Sequence, residues 1–256
     1  MNTPTSKTAL ITGGAKRIGR ALAESLAESG WTVAIHYFGS STEATDVAHS
    51  IEKHGGRAAV FSADLRNTAD TESLIPAVTK TLGPVNALIN NASIFEEESW
   101  DQVTTASWQQ HLSVNLHAPF ILSQAFARAL PDNIEGTIVN VIDQRVFNLT
   151  PDFLSYTVSK SGLWALTQTL ALALAPKIRV NGIGPGPTLP NARQSEDVFL
   201  EQAAATPLKR KVELEDISAA VKYLLDARAV TGQMIAVDSG EHLGWAQPVE
   251  GQKFNG

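Results

Sequence analysis

Two side chains spaced four residues apart, Tyr156 and Lys160, are the best suited in this sequence to acid–base chemistry. Leucines recur at helical spacing after them, so residues 154–175 are predicted to form one long helix. Residues four apart share a face of a helix, which brings the ammonium close to the phenol. Because a nearby positive charge favours the phenolate, we expect Lys160 to lower the pKa of Tyr156 from its usual value of about 10. Such a phenol is a general acid or base.

An aspartate, Asp143, ends the apolar run 136–142 that precedes this helix. The run is rich in β-branched residues and is predicted to be a buried strand. Open α/β sheets bind ligands at the carboxyl ends of their strands, so Asp143 is expected to join Tyr156 in a site. The tyrosine–lysine spacing is also common in ordinary amphipathic helices with a snorkelling lysine, and by itself it leaves that alternative open.

Composition restricts the class of protein. The chain has 256 residues with 43% hydrophobic content, which is enough for one sizeable core. Its net charge of −6 and the lack of a basic block argue against nucleic acid and anionic membranes as partners. The sequence contains no cysteine, which excludes disulfides and thiolate chemistry. No apolar run approaches the roughly 18 residues of a transmembrane helix, and the polar N-terminal segment is unlike a signal peptide, so we expect a cytoplasmic protein.

Strand and helix signals alternate along the chain. Predicted strands cover residues 8–12, 32–36, 58–62, 87–90, 137–142, 179–183 and 234–237. A predicted helix ends at Gly30, and further helices cover residues 42–53, 68–82, 108–130, 154–175 and 215–226. This alternation predicts an α/β fold, a single Rossmann-type doubly wound parallel sheet of seven strands with helices on both faces. One domain is expected over 1–256, with a tail (241–256) that either covers a neighbouring subunit or is loose.

A glycine-rich turn follows the first strand and opens the first helix. Such a turn lets a phosphate approach the backbone and meet the free N–H groups of a helix N-terminus. Glycine pairs also occur in tight turns for steric reasons alone, but the position within a β-α-β unit favours a nucleotide site. The residues expected to contact the cofactor here are Gly13, Lys16, Arg17, Ile18 and Gly19.

The end of the second strand indicates which dinucleotide binds. NAD sites usually carry an acidic residue there, whereas this strand ends in His36 and Tyr37, followed by Ser40. The imidazole and the serine hydroxyl can donate to a 2′-phosphate, and Lys16 and Arg17 add positive charge. We therefore predict NADPH as the cofactor. Capping of the next helix is an alternative role for Ser40 and is compatible with the first.

Polar residues also end the third and fourth strands. Asp64, followed by Leu65, is placed where an adenine amino group is read, and Asn91, Ala92 and Ser93 are placed where they line the ribose. These side chains can equally satisfy buried turn backbone.

A polar residue, Asn115, interrupts an otherwise apolar helical segment. It either bonds locally or completes a proton path behind Lys160, and the sequence leaves both open. The six histidines are scattered without ligand spacing, so no metal is predicted.

With these motifs placed, residues 8–240 resemble the short-chain dehydrogenase/reductase family. The resemblance rests on motifs in order, namely Thr12-Gly13…Gly19, Asp64, Asn91-Ala92, Asn115, Tyr156…Lys160, Arg179-Val180-Asn181 and Pro185-Gly186. It implies a Rossmann-type sheet with NAD(P) across its carboxyl edge and cofactor contacts that include Pro185 and Gly186. It also implies a dimer or tetramer, and we take a homotetramer as the expectation.

Two departures from the common family pattern resemble the pteridine reductases. Arg17 stands where most members have a third glycine, and Asp143 stands where most have a serine that donates to a substrate carbonyl. In that subgroup the arginine reaches toward the substrate and the cofactor phosphates, and an aromatic residue matching Phe95 stacks against the pterin. A proline-rich segment after Gly184 is expected to be a lid. The resemblance and this lid imply substrate contacts from Arg17, Ser93, Phe95, Asp143, Tyr156 and Leu189.

This resemblance agrees with the chemistry of the residues. Reduction of a pterin C=N bond needs a proton at a ring nitrogen, which an Asp143–Tyr156 pair can relay. Each of these residues also has a purely structural alternative. Asp143 can cap a turn at the strand end, Phe95 can pack in the core, and Arg17 can be a surface cation. A short-chain reductase of another carbonyl or imine, and a catalytically silent NADP-binding sensor, are the competing functions.

Overall fold

The computed structural model describes residues 7–190 and 194–244, and within them seven strands form one parallel sheet. The strands are β1 (Thr8–Ile11), β2 (Thr32–Tyr37), β3 (Arg57–Ser62), β4 (Val85–Asn90), β5 (Gly136–Val141), β6 (Ile178–Pro185) and β7 (Met234–Val237). Their order across the sheet is β3-β2-β1-β4-β5-β6-β7. The winding direction reverses between β1 and β4, the switch point at which doubly wound sheets bind their ligands. The predicted sheet is confirmed.

Helices cover both faces of the sheet. They are α1 (Arg17–Glu28), α2 (Ser41–Lys53), α3 (Thr68–Leu82), α4 (Thr105–Leu112), α5 (Ala118–Ala129), α6 (Leu154–Leu174), α7 (Glu196–Ala205) and α8 (Leu214–Asp226). Ile11 of β1 packs in one core with side chains of α1, α2 and α8, whereas the adjacent Leu10 packs in a second core with α3, α5 and α6. Successive strand residues point to opposite faces, so one short buried strand contributes to both cores.

Two expectations about helices are wrong. The helix predicted over 108–130 is broken by a π-helical turn, Ser113–His117, between α4 and α5. Hydrophobic periodicity cannot detect such a turn, because tertiary hydrogen bonds of Asn115 accompany it. Helix α7 was not predicted, although Ser195 caps it by accepting from the Val198 N–H and two acidic residues begin it.

A buried polar chain connects the centre of the sheet to α6. The Asn90 side chain donates to Asn140 Oδ1 at 2.8 Å, and Asn140 Nδ2 donates to Thr167 Oγ1 at 2.8 Å. The chain ends where the Thr167 hydroxyl donates to the carbonyl oxygen of Leu163. Asn140 and Thr167 are fully buried, so these bonds are not exchanged for bonds to water. They hold α6, which carries the tyrosine and lysine, in register with β5.

Replacement of the middle residue of this chain, Asn140→Ala, is expected to lower the free energy of unfolding by about 1–3 kcal/mol, because it leaves the buried amide of Asn90 without its acceptor. Urea denaturation followed by circular dichroism measures the loss. The exposed Asn133→Ala is the matched control and should change stability little. An equal effect of the two substitutions would contradict the structural role of the chain.

Candidate active site

A cleft of about 820 Å³ lies at the carboxyl edge of the sheet. This volume is within the range of ligand pockets, roughly 300–1,000 Å³. The structure brings together in its walls most of the side chains singled out in the sequence, namely Gly13, Lys16, Arg17, Ile18, Gly19, His36, Asp64, Leu65, Asn91, Ala92, Ser93, Phe95, Asp143, Tyr156, Lys160, Pro185, Gly186 and Leu189. Three of the predicted residues, Tyr37, Ser40 and Asn115, do not line it.

The glycine turn after β1 is shaped by close backbone approach. A Cβ at Gly19 would lie 2.1 Å from the carbonyl oxygen of Gly13, and Gly13 itself has a φ of +63°. The Asn91 amide donates to the carbonyl oxygens of Thr12 and Gly13 at 2.8 and 3.1 Å, which fixes the turn against β4. Lys16, the N-cap residue that precedes α1, provides no side-chain cap. The first N–H groups of α1 therefore face the cleft edge as donors for an anion, and the turn fits a dinucleotide phosphate.

Arg17 connects this turn to the loop after β6. It has a φ of +52°, a left-handed conformation that is uncommon for a residue with a side chain. Its guanidinium donates to the carbonyl oxygens of Pro190 and Leu189 at 2.9 and 3.2 Å. The family resemblance placed this guanidinium against the substrate and the cofactor phosphates. In the structure it instead holds the loop predicted as a lid, of which residues 191–193 lie outside the described residues.

His36 was predicted to donate to a 2′-phosphate, and the structure contradicts this role. Its ring is 2% exposed. The Gly13 N–H donates to Nδ1 at 3.1 Å, and Nε2 lies 3.1 Å from the carbonyl oxygen of Ala63. Since Nδ1 accepts, Nε2 carries the proton and donates to Ala63. Burial lowers the pKa of His36, which favours the neutral ring. His36 therefore braces the glycine turn and has no free nitrogen for phosphate.

The two other residues expected near a 2′-phosphate, Tyr37 and Ser40, do not lie where the sequence predicted them. Neither Tyr37 nor Ser40 lines the cleft, and the Ser40 side chain makes no capping bond to α2. Arg66 lines this end of the cleft and was missed. It pairs with Asp64 at 2.7 Å, and this pairing holds the pKa of the Asp64 carboxyl below its usual value. The sequence contained a signal for Arg66, because this arginine follows the strand-end aspartate, Asp64, by two residues.

The cationic group of Lys16 lies 2.7 Å from Glu43 at the same end of the cleft. Lys16, Arg17 and Arg66 make this end basic. Such a set suits the phosphates of a dinucleotide.

Tyr156 and Asp143 form the central pair of the site. The Tyr156 hydroxyl donates to Asp143 Oδ2 at 2.7 Å, while Oδ1 accepts from the backbone N–H of Arg145 at 2.8 Å. Burial raises the pKa of Tyr156 well above its usual value, and the negative charge of Asp143 raises it further. The phenol in this structure is therefore protonated. The hydroxyl is therefore a proton donor that is hydrogen-bonded to the Asp143 carboxylate.

The predicted effect of Lys160 on Tyr156 is wrong. Its ammonium lies 5.6 Å from the centre of the tyrosine ring and donates to the carbonyl oxygen of Val141 at 2.8 Å. Lys160 is only 2% exposed, and this burial lowers its own pKa from 10.5 to about 8. Helical spacing does bring the two side chains to one face. The spacing cannot reveal that burial and the charge of Asp143 raise the pKa of Tyr156.

Asn115 does not make the local bond offered as one of its two predicted roles, and the proton path behind Lys160 stays a prediction. Its Oδ1 accepts from the Ile94 N–H and the Ser93 hydroxyl at 2.8 and 3.2 Å. Its Nδ2 donates to the Ile94 carbonyl oxygen at 2.9 Å and to Ser159 Oγ at 3.0 Å. These bonds run between elements rather than within its own helix, and none of them reaches Lys160. Asn115 is a positioning residue that ties the loop after β4 to α6.

An aromatic wall stands beside the Tyr156 hydroxyl. The Phe95 ring stacks on Phe153 with centroids 4.5 Å apart and planes 6° apart, and it meets Tyr156 edge-on at 4.7 Å. The guanidinium of Arg145 covers Phe153 at 4.9 Å. Phe95 therefore packs in a stack and also lines the cleft. Phe153 and Arg145 were not predicted, because their contacts join segments about 50 residues from Phe95.

A second carboxylate lines the cleft. Glu241 accepts from the side-chain amides of Gln144 at 3.0 Å and Gln202 at 3.1 Å, and burial raises its pKa. It belongs to a short 3-10 turn, Glu241–Leu243, so the start of the tail, which was expected either to cover a neighbouring subunit or to be loose, lies against the site of its own chain. The remainder of that tail, 245–256, lies outside the described residues.

Among residues 7–190 and 194–244, no group of three or more histidine, aspartate or glutamate side chains is arranged to hold a metal ion. Over the same residues no helix is long and apolar enough to cross a membrane.

The fold and the cleft are those of a dinucleotide-binding enzyme, and comparisons with known proteins agree. The family model described as Enoyl-(Acyl carrier protein) reductase matches residues 13–242. FolM alternative dihydrofolate reductase 1 from Brucella canis, solved with NADP, is 45% identical with a TM-score of 0.92, over 95% of this chain and 97% of that chain. The angucycline C-6 ketoreductase LanV, solved with NADP, is 31% identical with a TM-score of 0.87, over 94% and 97%. A 3-oxoacyl-[acyl-carrier-protein] reductase from Staphylococcus epidermidis is 31% identical over 246 residues, 93% of this chain and 100% of that protein.

The chain belongs to the short-chain dehydrogenase/reductase family. The match to the family model and the full-length relatives carry this assignment. The predicted family, the predicted Rossmann-type fold and the prediction of an oxidoreductase are confirmed.

The buried ammonium of Lys160 predicts a pH dependence of stability in the protein without cofactor. Its pKa is about 8 in the fold and 10.5 in the unfolded chain. Between these values the unfolded chain binds more protons, so the contribution of Lys160 to stability rises with pH, by up to about 3 kcal/mol. Relative to Lys160→Met, the wild type should therefore gain stability as pH rises from 8 to 10.

Urea denaturation of both proteins at several pH values measures this difference. The exposed Lys80→Met is the matched control and should run parallel to the wild type across the range. A constant difference between wild type and Lys160→Met would contradict the lowered pKa.

Proposed function

We propose that this protein is an NADPH-dependent reductase of a pteridine, acting on the C=N bond of a dihydropterin or a dihydrofolate-like substrate. The observation that carries the proposal is the hydrogen bond from the Tyr156 hydroxyl to Asp143, beside the Phe95 ring in one cleft. The enzyme class is that of the family. The pteridine substrate is what this proposal adds to the family assignment.

The cofactor prediction is confirmed at the level of the family, since the solved relatives include complexes with NADP and with NADPH. In this chain, the N–H groups of the α1 N-terminus suit the phosphates. The basic end formed by Lys16, Arg17 and Arg66 suits the extra charge of a 2′-phosphate, in place of the role first given to His36. No carboxylate ends β2, where NAD sites carry one.

Proton delivery follows from the protonation state of the central pair. Bound NADPH supplies a hydride to carbon. The substrate nitrogen then needs a proton, and the Tyr156 hydroxyl is the neutral donor in the cleft. Asp143 accepts from that hydroxyl, orients it and is placed to pass a further proton to it. The ammonium of Lys160 lies 5.6 Å from the centre of the Tyr156 ring and is held there by its hydrogen bond to the carbonyl oxygen of Val141.

The shape of the site supports a flat heteroaromatic substrate. Phe95 and Phe153 line the cleft next to Tyr156, and aromatic rings pack by offset stacking or edge contacts. An ionised Asp143 is a poor partner for a ketone oxygen, because it accepts hydrogen bonds and cannot donate one. It suits a ring with N–H groups. Since a ketoreductase is among the relatives, ketones are the necessary comparison.

Turnover on a substrate panel tests the proposal. Purified protein with NADPH should oxidise the cofactor in the presence of 7,8-dihydropterins or dihydrofolate, and NADPH should be preferred to NADH because of the basic end of the cleft. Simple ketones and quinones should be poor substrates. Absorbance at the NADPH band measures the rate. Turnover on ketones alone would overturn the pteridine assignment while leaving the family assignment intact.

The substitution Tyr156→Phe is expected to lower kcat by about 100-fold or more, because it removes the proton donor. NADPH affinity, measured by fluorescence titration, should change little, since Phe keeps the ring against Phe95. The exposed Tyr223→Phe is the control and lies on α8. Full activity of Tyr156→Phe would refute the assigned proton donor. The homotetramer and the cytoplasmic location stay predictions.

A further inference from the structure

Glu241 occupies a position in the cleft that the proposed chemistry does not use. It begins the 3-10 turn that follows β7, and it lines the same cleft as Tyr156 and Asp143. Proton transfer needs only the Tyr156–Asp143 pair. A second carboxylate in the same cleft therefore calls for a separate role.

The carboxylate of Glu241 is held from two sides by amides. Gln144, in the turn after β5, donates to Oε2 at 3.0 Å, and Gln202 of α7 donates to Oε1 at 3.1 Å. Gln202 is fixed in turn, because its Oε1 accepts from Gln194 at 3.1 Å. The turn after β7 and the helix α7 are thereby joined at one charged group. Both carboxylate oxygens act as acceptors, and each has a further lone pair for a ligand.

A polar atom next to Glu241 lacks a partner. Gln144 Oε1 is buried and makes no hydrogen bond among the described residues. Gln144 also lines the cleft, so one amide presents a bonded nitrogen and an unsatisfied oxygen at this wall. Buried polar atoms without a partner are uncommon. The Gln144 carbonyl oxygen therefore lacks a donor, whereas the Glu241 carboxylate beside it accepts from two amides and keeps further lone pairs for a ligand.

Charge is distributed unevenly along the cleft. The glycine-turn end carries Lys16, Arg17 and Arg66, with Asp64 paired to Arg66. The substrate end carries Asp143 and Glu241 together with Lys160 and Arg145, and the Arg145 guanidinium covers the Phe153 ring and donates to Thr150. The carboxylate of Glu241 adds a negative charge to its own part of the wall and disfavours an anionic substituent placed beside it.

We propose that Glu241, with Gln144, selects among substrates by accepting hydrogen bonds from an N–H or O–H group on the substrate and by repelling anionic substituents. This inference rests on the proposed function for the identity of the ring. The inference extends the proposed function by predicting that pterins with a neutral, hydroxylated side chain are preferred to pterins whose side chain ends in carboxylates. Glu241 is a specificity residue, and the chemical step does not involve it.

Glu241→Gln tests the proposal because it keeps the shape of the side chain and removes its charge. The two substrates are a 7,8-dihydropterin with a hydroxylated neutral side chain and 7,8-dihydrofolate, whose side chain is anionic. The KM ratio of dihydrofolate to the neutral pterin should fall about tenfold or more in the variant, since hydrogen bonds to charged groups are the stronger ones. Glu72→Gln removes the same charge from an exposed position on α3 and should leave the ratio unchanged. An unchanged ratio in Glu241→Gln would overturn the proposal.

A binding measurement separates this inference from the proposed function. Calorimetric titration of the NADP⁺-loaded protein uses two 2,4-diaminopteridines, one with a hydroxymethyl group and one with an aminobenzoylglutamate group, and needs no turnover. A Kd ratio that shifts with Glu241→Gln supports the inference even if the wild type turns over no pterin. If pterins are turned over and neither ratio shifts, the inference alone fails.

A second variant guards against misfolding. Glu241→Asp keeps the negative charge on a shorter side chain, so it should still discriminate against the anionic substituent while binding the neutral pterin less tightly. Loss of discrimination in Glu241→Asp equal to that in Glu241→Gln would indicate a disrupted wall and would contradict selection by charge. NADPH affinity and the thermal unfolding temperature of each variant confirm that the fold is retained.

Discussion

The hydrogen bond between the Tyr156 hydroxyl and Asp143 is the interaction on which the site depends. It joins the end of β5 to the first turn of α6 at a point where the Tyr156 side chain is buried. There, burial and the aspartate charge both keep the phenol protonated. A serine at the aspartate position would donate to a substrate oxygen, whereas the carboxylate accepts and holds a proton donor. This difference moves the chemistry from carbonyl oxygens toward ring nitrogens.

The rest of the fold keeps that pair in register. The buried chain from Asn90 through Asn140 to Thr167 ties α6 to the sheet. Asn115 ties the loop that carries Phe95 to α6 through Ser159. These side chains do not contact the reacting groups. A displacement of about an ångström at any of them would still move the aromatic wall away from the proton donor. Buried, satisfied polar groups specify such positions more sharply than apolar contacts do.

The two ends of the cleft differ in the groups that line them, so that one end suits the cofactor and the other suits the substrate. Cations and free helix N–H groups are concentrated near the glycine turn, where a phosphate-rich cofactor suits them. Carboxylates and amide oxygens are concentrated beyond Tyr156, where they suit a ring bearing N–H groups. Arg17 connects the ends, because its guanidinium leaves the turn and holds the loop after β6. Arg17 thereby links that loop to the phosphate-binding turn.

The sequence by itself determined the seven-stranded doubly wound sheet, the glycine turn, and the joining of Tyr156, Lys160 and Asp143, because strand and helix periods and strand-end positions are local patterns. Only the tertiary structure decided how those groups are charged. His36 faces inward because its ring bridges Gly13 and Ala63, and the phenol stays protonated because burial and the charge of Asp143 raise its pKa. Phe153, Arg66 and Glu241 joined the site through contacts between distant segments. Burial and long-range contacts set pKa values and partners, and neither is written in residue spacing.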